Sequence, residues 1–107
     1  MTPEAQRIAI AEACGWRDCY INQNGQPWGF NRGLSYSSRL PDYLSDLNAM
    51  HEAERELDDD QYLDFMRYLT EPYDAKCNWS TVRYALEATA AQHAKAFLHA
   101  IGKWKQD

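Results

Sequence analysis

Arg17–Phe30, RDCYINQNGQPWGF, separates an α+β reading of this chain from an all-helical one. Cys19 and Ile21 fall on one side of an extended segment, Tyr20 and Asn22 on the other. Asn24-Gly25 offers two positions that tolerate positive φ, which suits a two-residue hairpin turn. Trp28 and Phe30 continue the alternation on a return strand. Pro27 has no amide hydrogen to give to a ladder, so that strand is expected at a sheet edge.

Helical signals flank the hairpin. Thr2, Pro3 and Glu4 form a helix start of cap, N1 proline and early acid. Ala5, Ile8, Ala9, Glu12, Ala13 and Trp16 follow with helical spacing, and Gly15 stops the helix, predicted over Pro3 to Cys14. Asn31 to Pro41 reads as an irregular surface connection with Gly33 and three serines. Asp42 or Ser45 opens a second helix whose apolar face, Tyr43, Leu47, Met50 and Leu57, is interrupted by Glu54. Asp58 and Gln61 have capping-box spacing, and Tyr62, Phe65, Met66 and Leu69 follow on one face. That third helix ends before Pro72, and with the second it makes either a hairpin or one kinked rod.

After a loop over Glu71 to Asn78, Val82, Tyr84 and Leu86 alternate with Thr81, Arg83 and Ala85, the period of a half-buried strand. Thr89 and Gln92 then form another capping box. Ala94, Phe97, Leu98 and Ile101 share a face, Gly102 closes the helix, and Trp104 is expected to fold back onto it. A single α+β domain over 1–107 follows: a small, mainly antiparallel sheet of hairpin plus one further strand, packed with about four helices like a sandwich.

The ending ATAAQ…AFL…GKW (88–104), the words LPDY and DLNAMHE (40–52), and Cys14-Gly15-Trp16 together resemble the small phage and prophage proteins grouped as the phage ABA sandwich domain family. The resemblance implies a compact α/β sandwich without an established activity, so it carries over no catalytic residue. The family pattern has a basic residue after the glutamine, where this chain has His93.

Composition narrows the function classes. A hydrophobic share of 45 % with four Trp and seven Tyr argues for a packed domain rather than disorder. The net charge of -5 disfavours non-specific nucleic-acid binding and suits a partner with a basic surface. Cys14, Cys19 and Cys77 fit neither a zinc motif nor a paired disulfide framework, which points to reduced thiols and a cytoplasmic protein; the resemblance implies that the cytoplasm is that of a host bacterial cell. Neither a signal peptide nor a membrane span is expected.

Catalytic words are missing. HEAER (51–55) has Arg55 where a zinc protease needs its second histidine, so His51 and Arg55 read as a surface i, i+4 pair. Asp42 and Asp46, four apart, form either a carboxylate pair or capping residues, and the capping role is favoured. The three histidines are not expected to cluster, since His93 and His99, six apart on one helix, face different ways. No metal ligand, cofactor or catalytic residue is assigned.

Two surfaces remain. Glu52, Glu54, Glu56, Asp58, Asp59, Asp60 and Asp64 form an acidic run, of which Glu56, Asp59 and Asp60 are candidate contacts to a basic groove. Trp28, Phe30, Tyr36 and Tyr43, with Arg32 and Arg39, form an aromatic cluster that suits a protein interface or a small anionic ligand. The expected function is that of a phage or prophage accessory protein. It binds a host protein without catalysis, most plausibly an antiviral-defence component such as a CRISPR effector. A nucleotide-sequestering protein and a phage structural component are the alternatives.

Overall fold

The computed structural model describes residues 1–70 and 88–106. The predicted loop over 71–78, the strand over 81–86 and Cys77 lie outside them. The fold is α+β: among the described residues, four helices and a three-stranded antiparallel sheet.

Helix α1 spans Pro3–Ala13, and Thr2 caps it by accepting from the Ala5 amide at 3.1 Å. Strands β1 (Arg17–Ile21), β2 (Pro27–Phe30) and β3 (Ser37–Arg39) follow in spatial order β1-β2-β3. Helices α2 (Leu47–Glu54), α3 (Asp59–Thr70) and α4 (Ala90–Ala100) complete the described chain. Both predicted capping boxes form: Asp58 and Gln61 bond each other's amides at α3, and Thr89 and Gln92 do so at α4. Helix α2 is capped by Asp46 rather than Asp42 or Ser45, because Asp42 closes a turn of its own that accepts the Ser45 and Asp46 amides.

The sheet departs from expectation in three ways. Pro27 begins the central strand, not an edge strand; as a first residue it needs no ladder amide, and its carbonyl accepts from Leu40 N at 3.0 Å. The turn holds three residues rather than two. Asn22 N donates to Gln26 O at 2.8 Å, and the Asn22 side chain accepts from the Asn24 and Gln26 amides, leaving positive φ to Gly25 (78°) and not to Asn24. The connection over 31–41 contains β3, which pairs Ser37 with Phe30 and Arg39 with Trp28.

Helix α1 contacts both the sheet and α4, while α2 and α3 each pack on α4. This layering centres the buried face of α1 on Ile10 and Ala11, both fully buried; of the predicted face, Ile8, Ala9 and Trp16 pack against the core while Glu12 and Ala13 are exposed. Helix α4 supplies Ala94, Phe97 and Leu98 to the core, joined by Met50, Ala53, Phe65 and Leu69. Gly102 takes φ 74°, and Trp104 folds back against α4, its ring 5.4 Å from His99 with Lys95 above it. Among the described residues no helix is long and apolar enough to cross a membrane.

Candidate functional site

Strand register sorts the side chains of the sheet into two faces. Residues directly opposite in an antiparallel pair point the same way. Tyr20 is opposite Trp28, and Trp28 is opposite Arg39; Arg17 is opposite Phe30, and Phe30 is opposite Ser37. Three-dimensional contacts agree with this sorting. The Arg17 guanidinium lies 5.3 Å from the centre of the Phe30 ring, and the Tyr20 hydroxyl is 3.3 Å from Ser37 Oγ. The other face holds Cys19, Pro27 and Gly29 and turns toward Leu40.

The inner face is built from small residues for a spatial reason. A Cβ on Gly29 would stand 2.9 Å from Cys19 Sγ and 3.3 Å from Leu40 Cδ2. The large rings are therefore left to the outer face. There Tyr20 is 42 % exposed, Trp28 and Phe30 are half-buried and Arg39 is exposed; Tyr36, also exposed, stands just before β3. Aromatic rings beside guanidinium groups make a surface for flat groups and for carboxylates or phosphates.

Tyr36 lies before β3, outside this register. The structure brings together Trp28, Phe30 and Arg39 as the sequence suggested, and it adds Arg17 and Tyr20. Their membership was hidden by an irregularity in β1: the register slips between Arg17 and Tyr20, where Asp18 takes φ 51°. Tyr43 does not belong to the surface. It is 3 % exposed, and burial first, then the neighbouring Cys14, pushes its phenol pKa up. Burial pushes the Cys14 thiol up to about 11, so it is a packed group rather than a nucleophile. Arg32 is drawn away from the aromatic face, donating to Cys14 O at 3.3 Å and facing Glu56 at 3.8 Å.

The acidic run is divided among several roles. Asp58 caps α3, Asp64 pairs with Arg67 at 3.6 Å, and Glu54 meets His93. Asp59 and Asp60 stand exposed in the first turn of α3, where they complement the helix dipole. Glu56 is engaged with Arg32.

One grouping runs against expectation. His51 and His93 do come together, their ring centroids 5.7 Å apart, because α2 packs on α4. His99 stays apart, stacked on Tyr68 at 4.5 Å. The signal in the sequence was Glu54, the polar break in the apolar face of α2: it faces the core because it meets His93 there.

Three cavities lie away from the outer sheet face. Clefts of about 580 and 600 Å³ are lined by residues of α2 and α3, and of α1 and the C-terminal segment. A smaller one of about 200 Å³ sits around Cys14 and Tyr43. None of the three is lined by Arg17, Tyr20, Trp28, Phe30, Tyr36 or Arg39. No protein-family model, curated protein or solved structure matches the chain.

Proposed function

We propose that this chain is a non-catalytic binding protein whose working surface is the outer face of its sheet, and that its target is a protein. The observation that supports this reading is the segregation of Arg17, Tyr20, Trp28, Phe30 and Arg39 onto one face of the sheet. Aromatic and arginine side chains are the residue types that concentrate binding energy at interfaces. A small-ligand protein would wrap such residues around a cavity, whereas the strand register spreads these across one face of a sheet. The phage or prophage setting, a cytoplasmic location and a host-defence target such as a CRISPR component rest on the family resemblance and belong to the same proposal.

The test is affinity capture from host lysate with the tagged protein, run beside an Arg17→Glu/Tyr20→Ala/Arg39→Glu variant. A host protein retained at one-to-one stoichiometry by the wild type and lost by the variant, with both giving the same circular dichroism, is the expected result. Equal retention by both proteins would remove the sheet face from consideration. A bound nucleotide without a protein would replace the reading with ligand sequestration.

A further inference from the structure

Helix α2 places His51 and Glu54 three residues apart, hence on one side of one turn, and α4 brings His93 against them. One donor atom from each of the three side chains lies within 4.8 Å of the others. His93 Nδ1 donates to Glu54 Oε1 at 2.5 Å, and the two side chains are only 8 % and 10 % exposed. Glu54 is thus a buried carboxylate with a single hydrogen bond among the described residues, although a carboxylate has room for about four. His51 is exposed, and its ring nitrogens find no hydrogen-bond partner among the described residues. Three donors converge, and hydrogen bonding uses only one pair of them.

We propose that His51, Glu54 and His93 form a binding site for one divalent cation of the zinc class. Two imidazoles and one carboxylate are a borderline nitrogen–oxygen donor set, which suits Zn²⁺, Co²⁺ or Fe²⁺ and not the all-oxygen preference of Ca²⁺ or Mg²⁺. Donors about 2 Å from a common tetrahedral ion stand about 3.3 Å apart, so the cluster forms as the exposed His51 ring adjusts and the His93–Glu54 pair opens slightly. The ion takes the place of the hydrogen shared by His93 and Glu54. Phe65, its ring 5.6 Å from that of His93, backs the site with apolar surface that helps fix the imidazole. The fourth coordination position opens on the cleft of about 580 Å³ lined by His51, Glu54, Arg55, Asp59 and Tyr62. Arg55 does not make that cleft positive, because Glu54 and Asp59 line it too. The zinc-protease word fails in the sequence at Arg55, and α4 supplies the second histidine from elsewhere in the chain.

This site is independent of the sheet face, and its test reads metal alone. The full chain, stripped with chelator, is titrated with Co²⁺ and then with competing Zn²⁺. The expected result is one Co²⁺ per chain, with the visible absorption of a low-coordinate site and no thiolate charge-transfer band, which excludes Cys14 and Cys19. His51→Ala should weaken binding by more than about 100-fold, beyond the usual loss of an outer-shell partner. Because His51 is exposed, the variant should keep its circular dichroism and melting temperature. Zn²⁺ should also shift the imidazole nitrogen resonances of wild-type His51 and His93 and leave those of His99 in place, a readout that needs no variant. No Co²⁺ uptake at millimolar concentration, undiminished uptake by folded His51→Ala, or a response confined to His99 would each overturn the proposal.

Discussion

Helix α4 and the sheet use side chains in opposite ways. In α4 Ala90, His93, Ala94, Ala96, Phe97 and Leu98 are buried, and three other helices pack on it. In the strands only Pro27 and Gly29 are buried, and the largest side chains look outward. The difference shows where the core is built and which side chains the proposed partner would meet. A helix surrounded by other helices can bury most of its circumference. Among the described residues the short sheet is packed by α1, and its other face carries rings where polar residues would be usual.

The sharpest way to break this comparison is to cut into both elements. Phe97→Ala should cost about 3–5 kcal/mol, the range for removing a buried aromatic ring, read as a fall in the urea midpoint. If the loss were under about 1 kcal/mol, α4 would not be the centre of the core. Gly29→Ala comes next, at about 1–3 kcal/mol, because its Cβ would overlap Cys19 Sγ. Adding Cys19→Ala should recover part of that loss, and a double-mutant cycle measures the coupling. On the outer face, Tyr20→Ala should change stability by no more than about 0.5 kcal/mol while weakening capture of the partner.

The smallest effect is at the seam between α1 and the sheet. Cys14 has an ordinary value of 9.0 and is raised to about 11 by burial. Its neutral thiol is therefore fully favourable below pH 9.0. As pH rises from there to about 11, the unfolded chain ionises first and stability declines. Cys14→Ser should flatten that part of a pH–stability curve, and alkylation at Cys14 should remain slow at pH 8.

Much of the fold was legible because its signals are local. The caps at Thr2, Asp58 and Thr89, the stop at Gly102 and the return of Trp104 depend on residues a few positions apart, and each forms as read. The aromatic surface was legible in composition but not in membership. Tyr20 and Arg17 joined it, and Tyr43 left it, through strand register and burial, which neighbouring letters do not encode. The histidine pairing was invisible for a related reason. His51 and His93 are far apart in sequence, and only the packing of α2 on α4 joins them. Pro27 misled because its position within the strand, rather than its presence, decides which strand it permits.

Asp18 has one further consequence. In the described sheet β1 is the terminal strand, the place where a foreign strand would add itself. A left-handed residue in the middle of that strand interrupts the row of amides and carbonyls, and the adjacent Arg17 and Asp18 charges make the broken row a poor template. Along β1, then, the sheet resists growth into fibrils whatever its outer face binds: the first strand is capped by its own irregularity.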